Sequence, residues 1–167
     1  MTVSAKTVKE LRDLTGAGML DCKKALEKTG GELDKAKEIL RKRGIAIAEK
    51  KATQETRQGL VEAYIHPDGR LGALVELNCQ TDFVARTDAF RALAHELAMQ
   101  VAATDPQHIA PDELPADSDG NPEELCLLVQ PFIRDPSRTI QDLINDTIAK
   151  TGENIRVRRF ARFHLGR

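Results

Sequence analysis

A chain of 167 residues, 41 % hydrophobic and 31 % charged, is long enough to bury one core of ordinary size or two small ones. Aromatic residues make up only 4 % and there is no Trp, which argues against a surface that stacks bases along a strand. No run approaches the length of a membrane span, and "MTVSAKTVKELRD" holds no apolar signal core, so the expectation is a cytoplasmic protein without a membrane partner. The net charge of −1 conceals three blocks. Residues 1–57 carry 14 Lys and Arg against 9 Asp and Glu, residues 58–149 carry 5 against 16, and residues 150–167 carry 6 against 1. A basic head and tail thus flank an acidic middle, a pattern of solvated faces or of a surface meeting a partner of patterned charge. Cys22, Cys79 and Cys126 are odd in number and widely spaced, which fits reduced, partly buried thiols.

In chain order, Ser4 can cap a first helix with Val8 and Leu11 on its inner face. "LTGAGM" stops it, because two glycines permit a tight corner. "MLDCKKALEKTGG" reads as a second helix ending at Gly30 and Gly31. "ELDKAKEILRKRG" reads as a third, with Leu33, Ala36, Ile39 and Leu40 on one stripe and Gly44 after a basic last turn. "IAIAEKKATQETRQ" then turns polar, as a helical or flexible linker would.

The next stretch, "GLVEAYIHPDGRLGALVELNC", is two alternating runs around "HPDGR", a hairpin signal. Val61, Ala63 and Ile65 share one face of its first strand; Ala73, Val75, Leu77 and Cys79 share one face of its second. "NCQTDFVART" follows as a corner, oddly apolar for a turn, since Phe83 and Val84 stand beside Asp82. Phe90, Leu93, Ala94, Leu97 and Val101 then keep helical spacing behind a cap at Thr87 or Asp88. "DPQHIAPDELPADSDGNP" is a loop and the least ordered part expected, and "EELCLLVQPF" fits a short helix or a strand. Thr139 caps a helix lined by Ile140, Leu143, Ile144 and Ile148 and ended by Gly152. "NIRVRRFARFHL" closes as a strand whose alternation breaks at Arg158 and Arg159, the mark of a bulge or of a strand used on both faces. The fold class is therefore α+β: an N-terminal three-helix domain over 1–51, a linker over 52–58, and over 59–167 a small antiparallel-sheet core packed by helices.

No reaction chemistry emerges from these residues. His66, His95, His108 and His164 are scattered, and "AHELA" lacks the second His of a zinc helix, so His95 reads as a helix-surface residue. No Ser stands in a nucleophile elbow. "TGAGM" lacks the Gly-Lys-Ser/Thr ending of a phosphate loop and joins two helices, so it reads as a turn. The acidic loop lacks calcium-loop spacing. The expectation is a binding protein with no catalytic residues, no cofactor, no metal and no small-molecule substrate.

Three blocks, "LRDLTGAGMLDCKKALEKTGGELDKAKEILRKRG", "LNCQTDFVART" and "QPFIRDPSRTIQDLINDTIAKTGENIRVRRFARF", resemble the translation elongation factor Ts family over about 140 of the 167 positions, in that family's order. The resemblance implies a head similar to ubiquitin-associated domains and a guanine-nucleotide exchange factor for elongation factor Tu, without covalent catalysis. It implies that Asp82 and Phe83, supported by Thr81 and Val84, enter the GTPase domain of elongation factor Tu and disturb the region holding Mg²⁺ and the nucleotide phosphates. It implies a second contact from the head through Arg12, Met19, Leu20 and Lys23. The family commonly has Met where Leu20 stands here, and its short members carry a helical stretch before "CLLVQPF" where this chain has "PADSDGNPEEL". Contacts to the third domain of elongation factor Tu are therefore in question. A small open sheet also has an edge to cover, and short relatives pair through their C-terminal parts, so a homodimer is expected with the strand Ile155–Leu165 near the contact. Two other readings remain open. A ubiquitin-associated-type adaptor would bind a partner through the head alone and leave Phe83 dispensable. A nucleic-acid binder would use "RVRRFARF", which the acidic middle opposes.

Overall fold

The computed structural model describes residues 3–167. Its elements in chain order are α1 (Ala5–Thr15), α2 (Met19–Lys28), α3 (Leu33–Lys51), β1 (Gln58–Ile65), β2 (Leu71–Cys79), α4 (Asp82–Ala85), α5 (Asp88–Thr104), α6 (Pro122–Leu125), β3 (Pro131–Phe132), β4 (Asp135–Thr139), α7 (Ile140–Thr151) and β5 (Arg156–His164). The architecture is α+β: N-terminal helices followed by a small antiparallel sheet with helices packed on it. The chain divides into two compact units, one of residues 1–53 and 145–153, the other of residues 54–144 and 154–167.

In the first unit, the Ser4 hydroxyl accepts from the Thr7 N–H and opens α1, and Gly16, at φ 65°, closes it in the left-handed conformation. Val8, Leu11, Cys22, Ala25, Leu26 and Ala36 form the core, with Leu33, Ile39 and Leu40 against it. Helix α3 does not end at Gly44. It continues through that residue to Lys51, and Gly44 is buried against the segment 145–149. A glycine in mid-helix costs stability without ending the helix, and here a Cβ would meet the Asn145 carbonyl oxygen at 3.8 Å, an ordinary contact distance.

In the second unit, β1, β2 and β5 form an antiparallel sheet in the order β1-β2-β5. The hairpin turn places Gly69 at φ 69°, and the His66 N–H donates to the Leu71 carbonyl at 2.8 Å. The β2–β5 register shifts between Glu76 and Leu77, whose partners are Arg159 and Val157, so Arg158 is the bulged residue, where the break in alternation had located it. Ala73, Val75, Leu77 and Cys79 are buried, and α5 packs over β1 and β2 with Phe90, Leu93, Ala94, Leu97, Ala98 and Val101. Val61, Ala63 and Ile65 do share a face of β1, and it is the exposed one; Leu60, Glu62 and Tyr64 point inward, half-buried.

The segment between α5 and β3 is not bare loop. Pro111–Glu113 and Leu127–Val129 are single 3₁₀ turns, Asn121 caps α6, and His108 bridges Cys126 in parallel. A short hairpin, β3 with β4, follows, and a buried amide anchors it. The Gln100 side chain donates to Gln130 Oε1 at 3.2 Å and to the Pro131 carbonyl at 3.1 Å, while its Oε1 accepts from the Ile133 N–H at 3.0 Å. Thr139 and Asp142 cap α7 reciprocally: the Asp142 N–H donates to the Thr139 hydroxyl at 3.2 Å, and Asp142 Oδ2 accepts from the Thr139 N–H at 3.0 Å. Ile140, Ile144 and Ile148 are buried along α7, Leu143 half-buried, and Gly152 at φ 74° ends the helix.

Candidate partner-binding site

The corner between β2 and α5 is held from three sides. Cys79, the last residue of β2, is buried, and its thiol donates to the Thr81 carbonyl at 3.1 Å. Thr81 has extended backbone, and its hydroxyl accepts from the Val84 N–H at 3.4 Å, which starts the single turn α4. Thr87 closes the corner, bonding back to the Val84 carbonyl at 2.8 Å and accepting from the Phe90 N–H at 3.3 Å to open α5. Val84 and Ala85 point into the core of this unit. Helical geometry then forces the preceding side chain outward. Phe83 is 79 % exposed, the most exposed large hydrophobic side chain among the described residues. A core role beneath the corner is thereby ruled out for this ring.

Asp82 occupies the first position of α4, where the helix dipole favours a negative charge. Its Oδ2 lies 2.9 Å from a terminal guanidinium nitrogen of Arg86, one turn on. The four residues expected at this corner therefore divide by role: Thr81 caps, Val84 anchors, and Asp82 and Phe83 face solvent. Arg86 was not singled out from the sequence, although Asp and Arg at i and i+4 is a readable signal.

In the first unit, Arg12, Met19, Leu20 and Lys23 are all exposed around the α1–α2 corner. Leu20 is 72 % exposed, so Met19 and Leu20 do not close the bundle; Leu11, Cys22 and Leu26 do that beneath them. Leu14 adds a further exposed apolar group on α1.

Burial pushes the Cys22 and Cys126 thiols up, and Cys22, Cys79 and Cys126 are all buried. His95 lies on the surface of α5, 3.2 Å from Glu62 and edge-on to the Tyr64 ring. Among the described residues no cluster of His, Cys, Asp or Glu fits a metal ion, and no helix is long and apolar enough to cross a membrane.

The α+β chain thus carries its most exposed aromatic ring on a braced elbow. The family model for elongation factor TS matches residues 5–120. The elongation factor Ts of Coprothermobacter proteolyticus is 48 % identical over 99 % of this chain and 100 % of its own length. That of Heliobacterium modesticaldum is 48 % identical over 98 % of this chain and 90 % of its own, and that of Thermotoga petrophila 47 % over 99 % and 98 %. The chain belongs to the elongation factor Ts family, and with it to the translation elongation factors. The Coprothermobacter alignment runs over 196 positions against 167 residues here, so at least 29 of them have no counterpart in this chain.

Proposed function

We propose that this chain binds elongation factor Tu carrying GDP and promotes release of the nucleotide, acting as a guanine-nucleotide exchange factor in the cytoplasm and making no covalent bond to substrate. The observation that carries this reading is the outward Phe83 ring, flanked by Asp82, on a turn capped at both ends. Burying such a side chain in a partner stabilises by about 1.5–3 kcal/mol. An elbow fixed in advance directs that gain toward the partner conformation that accepts the ring, because little ordering cost remains. If that conformation grips Mg²⁺ and the phosphates poorly, exchange follows by negative coupling: the factor lowers nucleotide affinity, and nucleotide lowers affinity for the factor by the same ratio. Arg12, Met19, Leu20 and Lys23 supply a second contact on the GTPase domain, apolar at its centre and basic at its rim.

The same reading includes a homodimer. On the outer face of the sheet, Val61, Ile65, Leu74 and Phe163 are exposed, with Leu165 beyond the end of β5. The register sets Ala63 opposite Leu74 and Leu74 opposite Ala161, with Gly72 between Ile65 and Phe163. A contiguous apolar face on a soluble factor calls for cover, and a second copy of the same face supplies it, with β5 at the contact. Light scattering behind gel filtration tests this; a clean monomer at micromolar concentration refutes it.

The exchange reading is tested by loading elongation factor Tu with fluorescent GDP, adding this chain with excess GDP, and following the loss of signal. Acceleration proportional to the added chain is expected. Binding without acceleration, unaffected by Phe83→Ala, would instead favour an adaptor that works through the head.

A further inference from the structure

We propose that Arg86 is a positioning residue for Asp82, setting the direction and the net charge with which that carboxylate meets the GTPase. The inference rests on the exchange reading. Helix α4 is one turn, and Asp82 and Arg86 stand at its two ends. The Arg86 N–H donates to the Asp82 and Phe83 carbonyls at 3.2 and 3.3 Å, so the backbone that carries the guanidinium is fixed to the backbone that carries the ring and the carboxylate. Across this turn the ion pair closes at 2.9 Å, with side-chain exposures of 74 % for Arg86 and 49 % for Asp82.

Two physical effects follow. An exposed aspartate on a free rotor samples several staggered wells. The bond to Arg86 favours the one that lays the carboxylate along the turn beside Phe83. The pair engages Oδ2, which leaves Oδ1 able to accept from a partner. The second effect concerns charge. A lone carboxylate entering a region that holds nucleotide phosphates meets repulsion, whereas the Asp82–Arg86 pair arrives close to neutral. An exposed pair of this kind is weak, so it biases the carboxylate without locking it and can yield its oxygen when the partner closes on it.

The test is a double-mutant cycle on the rate of GDP release: the unmodified chain, Arg86→Gln, Asp82→Asn and the double variant. Arg86→Gln is expected to slow release about two- to five-fold, the range of an exposed ion pair. It is expected to have no further effect in the Asp82→Asn background, because its action passes through that carboxylate. Arg86→Lys keeps the charge without the planar fork and is expected to recover part of the rate. Circular dichroism and the melting temperature remain those of the unmodified chain. Equal slowing by Arg86→Gln in both backgrounds would mean that Arg86 touches the partner itself, and the proposal falls. It falls equally if Arg86→Gln leaves the rate unchanged or raises it. A Phe83→Ala defect alongside a silent Arg86→Gln would keep the exchange reading and remove this one. Failure of the unmodified chain to accelerate release would remove both.

Discussion

Truncating Phe83 to Ala separates contact with a partner from the stability of the fold. With 79 % of the residue in solvent, only about a fifth of its possible burial is used within its own chain. Full burial of a Phe is worth about 1.5–3 kcal/mol. The share still available to a partner is therefore about 1.2–2.4 kcal/mol. At 1.4 kcal/mol per factor of ten, Phe83→Ala should lower the second-order rate of GDP release about 7- to 50-fold. The melting temperature should barely move, because surface truncations away from caps and cores stay within about 0.5 kcal/mol. Stopped-flow release of fluorescent GDP from elongation factor Tu over a concentration series of each variant measures the first quantity, and thermal denaturation followed by circular dichroism the second. Phe83→Leu, which keeps much of the apolar area, should fall between. A rate within twofold of the unmodified chain for Phe83→Ala would refute the wedge argument, even if the chain still drove exchange.

Three other outcomes follow from the structure. Gly44→Ala should stabilise by about 0.5–1 kcal/mol, because the position is mid-helix and the added methyl meets Asn145 at ordinary contact distance; a rise of about 1–4 °C in melting temperature would register it. Gln100→Leu should destabilise by about 1–3 kcal/mol in urea titrations, since the fully buried Gln100 amide gives up its hydrogen bonds to the Gln130 side chain, the Pro131 carbonyl and the Ile133 N–H. The Arg159 hydrogen bond holds the Glu76 carboxyl below its ordinary 4.5. Because the folded value is the lower one, the pair contributes stability above pH 4.5 that is lost as the pH falls through the folded value. Arg159→Gln should therefore raise the Glu76 midpoint in a carbon-detected NMR titration and flatten that part of the acid limb.

Where periodicity and caps agreed, the sequence was read correctly. Ser4, Thr87 and Thr139 are all caps in the structure, and α5 buries the stripe its spacing indicated. The bulge at Arg158 was visible as a break in alternation. Gly44 misled because a glycine after a basic turn looks like a helix end, whereas here it lies buried in mid-helix and the helix runs on to Lys51. β1 carries apolar residues on both faces, with Leu60 and Tyr64 opposite Val61 and Ile65, so alternation alone could not say which set faces inward. The β3–β4 hairpin and its Gln100–Gln130 support were illegible because the contacts join residues about thirty positions apart. At the candidate site, the fact that Phe83 points outward was set by the cap at Thr81 and by the burial of Val84 and Ala85, a matter of phase within one turn. Its ion pair needed only the four-residue spacing.

The return of residues 145–153 to the N-terminal unit bears on how the chain matures. Domains usually fold in the order in which they leave the ribosome, at about 5–20 residues per second. Here the first 53 residues emerge without the segment that Gly16 and Gly44 approach, and at those speeds roughly ninety more residues must be made before it follows. Residues 1–53 are thus obliged to wait, for about five to twenty seconds, for a later stretch of the chain to complete their unit.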